Sequence, residues 1–287
     1  MPANSTTVRM MQTGARVLST VSPPLGARVL QRLFLTPIRH RTPERELGWL
    51  RGARRLVVSF DETRQLPVYL WGRGPTILLV HGWSGRGSQL GSMVAPLLES
   101  GYRVVAFDAP GHGAADGDRS ALPELAQAIE KVVELVGPIE GVVAHSLGCA
   151  AASLALARGL EARRLVFLAP PSNPGAYLQR AAELLGFSPR VAAGARSRIE
   201  ESFGVDFDDA RIERLAPRIA ANLLVIHDSG DEEVPLAEGM EVVAAWPGAE
   251  LKITHGLGHR RILRDSAVVE AAMCFLTRPE DREDEAA

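Results

Sequence analysis

Lysine is nearly missing from this 287-residue chain. It occurs twice, at Lys131 and Lys252, against thirty arginines. The arginines are scattered and the formal net charge is -2, which excludes nucleic acid as a general partner. Cysteine is as scarce. Cys149 and Cys274 lie in apolar, helix-like stretches, with neither a disulfide framework nor metal-ligand spacing. That pattern fits a reducing, cytoplasmic setting. No run of about 18 apolar residues occurs, so no stable membrane span is expected. His255 and His259 stand four apart, but Gly256 and Gly258 argue against a helix that would make them a metal pair. No cofactor is expected.

Acids are absent from residues 1–43, which hold six arginines. This start lacks the apolar h-region of a secretory signal. A basic, acid-poor start can resemble a transit peptide or a membrane-surface helix. The apolar stripe is short, however, and "PLGARVLQRLF" reads as a helix packing Leu25, Val29, Leu33 and Phe34 on the domain. The opposite end, "RPEDREDEAA", is mostly acidic and predicts a disordered tail over 278–287.

Between the ends the composition is ordinary, with 46% hydrophobic and 23% charged residues. The length suits one large domain, or one with an insertion. "RLVVSF" and "LPVYLWG" predict a hairpin. "TILLV", "YRVVAFD", "EGVVAHS", "RRLVFLAP", "NLLVIHD" and "ELKITH" predict further strands, and helical patterns separate them. One of these, "SALPELAQAIEKVVELVG", carries a Ser cap, an early Pro and a final Gly. The alternation predicts an α/β fold: a mostly parallel twisted sheet of about eight strands with helices on both faces. Residues 172–216 have helical periodicity and no strand, and predict a small helical cap insertion over one sheet edge. The expected organisation is an N-terminal helical extension (1–54), a core (55–171 and 217–277), the insertion (172–216) and the tail (278–287).

The chemistry centres on "GVVAHSLGCAAAS". Here a buried strand meets a helix built from very small residues, with Ser146 at the turn between them. Small neighbours let strand and helix approach, so the middle residue is thrown out above the sheet. The helix also points its positive end at that turn. Backbone N–H groups nearby can stabilise an oxyanion.

These residues resemble the α/β-hydrolase family. "AHSLG" is similar to its nucleophile elbow G-x-S-x-G, with Ala144 replacing the first glycine. "LLVHGWSG" looks like its H-G-x oxyanion loop, which implies an oxyanion hole from the N–H groups of Trp83 and Leu147 and a structural role for His81. "FDAPGHG" is similar to the loop after the next strand. The likeness runs over roughly residues 55 to 277 and keeps the order Ser…Asp…His.

A serine hydroxyl needs a general base, and the base needs an orienting carboxylate. His259 follows the last strand and can reach back to the serine; His255 is its rival. His145 should point away from the serine, and His112 and His227 have bland readings as a bonded turn residue and a satisfied buried group. "HDSGDEEVP" resembles the family's acid loop, which places Asp231 in the catalytic position and leaves Asp228 as the alternative. The loop "APPSNPG" has no carboxylate, which removes the family's other acid position. The resemblance thus implies a serine carboxylesterase with Ser146, Asp231 and His259 as its triad, acting on a small-molecule acyl ester. Trp83, His145 and Tyr177 are the substrate-binding candidates, and apolar side chains of the insertion, among them Leu178, Leu184, Phe187 and Phe203, suggest an apolar substrate or simply core packing. A thioesterase, an acyltransferase or a non-catalytic binding member of the fold are the alternatives. A homodimer is one assembly the reading allows.

Overall fold

The structure is a computed structural model that describes residues 5–278. The expected tail falls almost wholly outside the described residues. Eight strands form one sheet: β1 (Arg54–Ser59), β2 (Gln65–Trp71), β3 (Thr76–Val80), β4 (Arg103–Phe107), β5 (Gly141–His145), β6 (Arg164–Leu168), β7 (Asn222–Asp228) and β8 (Glu250–Thr254). Each lies within two residues of its expected position. The order is β1-β2-β4-β3-β5-β6-β7-β8. β1 pairs antiparallel with β2 and β2 antiparallel with β4, and the remaining pairs are parallel.

Three helices precede the sheet: α1 (Ser5–Val21), α2 (Pro23–Phe34) and α3 (Glu44–Arg51). α4 (Val94–Glu99), α5 (Leu122–Val136) and α6 (Leu147–Ala157) connect the central strands. α7 (Ala176–Leu185), α8 (Pro189–Phe203) and α9 (Ile212–Leu215) lie between β6 and β7. α10 (Leu236–Ala245), the single turn α11 (Gly258–Arg261) and α12 (Ser266–Leu276) complete the described chain.

The continuous apolar strands are buried because helices cover both faces. Leu78, Val80, Val142 and Ala144 pack with α5, α6 and α10 on one side. Ile77, Leu79 and Val143 pack with α4 and α12 on the other. Parallel pairing brings the carboxyl ends of β3, β5, β6, β7 and β8 to one edge, where their loops gather.

A third core joins the helices before the sheet to the insertion. Ala15 of α1 and Ala27 and Leu30 of α2 pack against Leu178, Ala182, Val191, Ala195 and Ile199 of α7 and α8. The segment before the sheet and the insertion therefore form one helical layer. Of the four α2 residues expected to pack inward, Val29 and Phe34 do lie against this core, but Leu25 and Leu33 do not. Leu25 and Leu33 are 48% and 45% exposed, whereas Gly26, Ala27 and Leu30 are buried. Small residues face α8 because the two helices pack closely there, and a count of apolar side chains misses that. Two helix starts also differ from expectation. α5 begins at Leu122 with Ala121 as its cap residue and no side-chain cap. Ser120 is buried instead, and its N–H donates to the carbonyl of Leu35 at 2.8 Å. The helix expected from Ser88 opens as a 3-10 stretch over Gly87–Met93 before α4.

Residues 35–46 strap the helical layer to the sheet loops. Arg39 donates to the carbonyls of Gly113, Ala115 and Gly117. The Ile38 N–H donates to Ser84 Oγ at 2.9 Å. Glu46 on α3 is buried and accepts from Arg86 at 2.6 Å and from Ser88 at 2.8 Å.

Candidate active site

Ser146 stands between β5 and α6 with φ 53° and ψ -127°. A side chain pays of order 1–3 kcal/mol for such a conformation, so the surroundings must enforce it. The Ser146 N–H donates to the Leu168 carbonyl of β6, and the Ser146 carbonyl accepts from Cys149 N–H, both at 2.9 Å. Two glycines let the next loop press against this turn. A Cβ on Gly148 would lie 2.5 Å from the His81 carbonyl oxygen, and one on Gly82 would lie 2.9 Å from the Ser146 Cβ. The loop carrying Trp83 is thus seated directly on the turn carrying Ser146 and Leu147. Ser84 in that loop also has a positive φ, 55°.

His81 fixes the loop from beneath, as expected of a structural histidine. Its Nδ1–H donates to the Gly82 carbonyl at 2.8 Å, and its Nε2 accepts from the Ala109 N–H at 3.1 Å. Burial lowers its pKa to about 4, so it stays neutral and can accept. His112 bonds the Pro110 carbonyl within its own turn, and its ring packs edge-on against half-buried Trp83 at 5.1 Å.

The acid and base candidates come from the loops after β7 and β8. His259 Nδ1 donates to Asp231 Oδ2 at 2.7 Å, with both side chains almost fully buried. The other oxygen of Asp231 accepts from the N–H groups of Glu233 and Val234, both at 2.9 Å. Burial by itself would raise this carboxyl. The bond from His259 and the main-chain donors outweigh it and hold the group below its ordinary value. With Nδ1 occupied as a donor, the lone pair of the neutral His259 ring is left on Nε2.

Asp228, the alternative acid, is committed elsewhere. Its oxygens accept from Gly230 N–H, Thr254 Oγ1 and Leu257 N–H at 2.9–3.0 Å. Burial opposes its ionisation, but these donors and the N–H of Gly258 win and bring its pKa to about 2. It ties the β7 loop to the loop that carries His259. His255, the rival base, pairs with Ser229 Oγ at 2.8 Å. His227 is fully buried and donates to the Val234 carbonyl at 2.9 Å.

His145 differs from its expected substrate contact. It is only 4% exposed, and its Nε2–H donates to the main-chain carbonyl of His259 at 2.9 Å. Their rings lie 4.6 Å apart. Burial, then the neighbouring His259, lowers the His145 pKa to about 3, so it is neutral. The residue before the serine therefore braces the backbone of His259. Nothing in the sequence pairs positions 145 and 259, and only the fold brings them together. Tyr177 gives its hydroxyl to Glu238 Oε1 at 3.1 Å and carries Arg180 over its ring. That contact locks α7 to α10. Of the insertion's apolar side chains, Leu178 and Phe187 belong to the third core and Leu184 is 73% exposed. The one-turn helix α11 around His259 was not anticipated, because the glycines at 256 and 258 argue against a helix there; Gly258 opens it with a positive φ.

The profile of the Alpha/beta hydrolase family matches residues 77–272. The chain belongs to that family. A serine hydrolase-like protein of Danio rerio is 34% identical over 101 residues, 33% of this chain and 30% of that protein. The chain thus spans less than a third of that relative's length. The magnesium-chelatase 30 kDa subunit of Rhodobacter capsulatus is 29% identical over 233 residues, 65% of this chain and 81% of that subunit. A pimeloyl-[acyl-carrier protein] methyl ester esterase of Aeromonas hydrophila is 31% identical over 196 residues, 58% of this chain and 74% of the esterase. Among solved structures, an esterase from Exiguobacterium antarcticum matches with a TM-score of 0.61 at 16% identity, covering 78% of this chain and 100% of that one. At that identity the likeness is one of fold.

Proposed function

We propose that the chain is a serine hydrolase that cleaves carboxylic esters through an acyl-enzyme. The observation that carries this reading is the buried 2.7 Å bond from His259 to Asp231. It orients the imidazole and sets the tautomer whose lone pair is on Nε2, on a loop whose backbone is tied to the residue beside Ser146. Ser146 Oγ attacks the ester carbonyl carbon and its proton passes to His259 Nε2. Asp231 stabilises the imidazolium. The carbonyl oxygen gains the negative charge and is received by the N–H groups of Trp83 and Leu147. The C–O bond to the alcohol breaks as His259 protonates the leaving oxygen. Water then attacks the acyl-enzyme, gives its proton to His259, and releases the acid as the proton returns to Ser146. The methyl ester esterase among the relatives supports an ester bond as the target. The helical layer of α1, α2, α7 and α8 would act as the cap.

The test joins a fluorophosphonate probe to a panel of acyl esters of rising chain length. Labelling and hydrolysis should both be present in the wild type and absent in Ser146→Ala, with kcat lowered by about 10⁶-fold. A wild type that neither labels nor turns over any ester would sink the proposal. Product from added alcohols or thiols in place of water would move it to acyl transfer.

A further inference from the structure

The helical layer buries only one side of α1. Its inner face packs through Ala15, while Met10, Val17 and Val21 are 70%, 56% and 78% exposed. Their spacing of seven and four residues sets them in one line along the helix. Thr13 and Thr20 run beside that line, and beyond them stand Arg9 and Arg16, both exposed. Past the corner into α2, Leu25 is also apolar and 48% exposed. Arg28 and Arg32 are exposed at three and seven residues from it, on the same side of α2.

Packing does not account for this ridge, because the layer has already closed its own core on the opposite face. Charge indicates what would cover it. No acid lies within residues 1–43, while the whole chain is formally -2, so the balancing acids lie on other parts of the molecule. Among the described residues none of Arg9, Arg16, Arg28 and Arg32 has an acidic partner. We infer that α1 and the start of α2 form a docking face for an anionic lipid surface. The apolar ridge enters the boundary between headgroups and acyl chains, and the arginines reach out to the phosphates. The acidic remainder is repelled, which orients the molecule with this face down. No helix among the described residues is long and apolar enough to cross a membrane, so the attachment is a reversible one to the surface.

The test is sedimentation of the full chain with vesicles of one part phosphatidylglycerol to three parts phosphatidylcholine, and with phosphatidylcholine alone. Binding is expected on the anionic vesicles and should fall at least ten-fold on the neutral ones and in 0.5 M salt, about a 4 Å screening length. Arg9→Gln with Arg16→Gln should weaken partition about 30-fold, since each basic group near such a surface contributes about five-fold. The triple variant Met10→Ser, Val17→Ser, Val21→Ser should weaken it by about ten-fold or more. All substituted side chains are solvent-exposed, so both variants should keep the wild-type melting temperature. Absence of wild-type binding to the anionic vesicles, equal binding to neutral ones, or full binding by either folded variant would overturn the inference. So would a wild-type dimer that ignores vesicles and dissociates in the triple variant, which would make a second copy the occupant. None of these readouts uses ester hydrolysis, so this inference and the proposed chemistry fail separately.

Discussion

Asp228 and Asp231 stand three residues apart in one loop and serve different ends. Asp231 spends one oxygen on its own turn and the other on His259. Replacing it with Asn should leave the protein folded and lower kcat by about 10⁴-fold, because the ring would lose its orientation and its tautomer. Steady-state kinetics on an ester found with the wild type would check this. Asp228 spends both oxygens on holding loops together. Its folded pKa of about 2 lies below the ordinary 3.8. Its ionised form therefore favours the folded state, and that contribution is complete above pH 3.8 and disappears as the pH falls toward 2. Asp228→Asn should thus lower the urea midpoint at neutral pH and flatten its decline over that acid window, while losing far less kcat than Asp231→Asn. A larger kcat loss in Asp228→Asn than in Asp231→Asn would exchange their roles. The sequence brought both aspartates to the same loop. It could not say which one the histidine would meet, because that depends on how far the loop after β8 folds back.

At the level of elements, the helical layer is where sequence reading was weakest. The eight strands were legible because an apolar run bounded by turns has few other uses. The 172–216 stretch was legible as helical for the same reason, since its periodicity contains no strand signal. What it would pack against was not legible. Its partners α1 and α2 precede it by more than 130 residues, and the contact runs over Gly26, Ala27 and Leu30 rather than the larger leucines at 25 and 33. Leu30 has no exposed surface and sits in the middle of this core. Leu30→Ala should cost about 2–5 kcal/mol, against less than about 0.5 kcal/mol for Leu33→Ala on the exposed side. Chemical denaturation of the two variants separates them, and equal losses would contradict the packing. Tyr177→Phe removes one link between α7 and α10 and leaves the ion pair of Arg180 with Glu238. It should cost about 1 kcal/mol, and any larger loss of activity than of stability would point to a direct part in substrate binding.

Over the whole molecule, four buried histidines set the pH range of the fold. Burial lowers His81, His112, His145 and His227 below the ordinary 6.5, the first three to about 4, 3 and 3. The unfolded chain therefore binds protons that the folded one refuses. Stability is complete above pH 6.5 and falls as the pH drops from there toward 3–4. The thermal midpoint should decline steadily between pH 6.5 and 4.5, before most carboxylates titrate, and a flat profile over that range would contradict the burial of these rings. The same four residues carry different structural duties: His81 seats the loop of Trp83, His112 packs against that tryptophan, His145 braces the backbone of His259, and His227 closes the acid loop. Three of them surround the candidate site without being its base. By itself the sequence determined the alternation of strands and helices, the strand-to-helix turn at Ser146 and the loops that hold Asp231 and His259, because periodicity, small residues and turn chemistry act over a few neighbouring positions. Only the tertiary structure decided that Asp231 rather than Asp228 meets His259, that His145 holds the backbone of His259, and that α1 and α2 close one face on the insertion and leave the other apolar and basic. Each of those outcomes depends on side chains distant in the chain fitting the same volume, a condition that local pattern does not record.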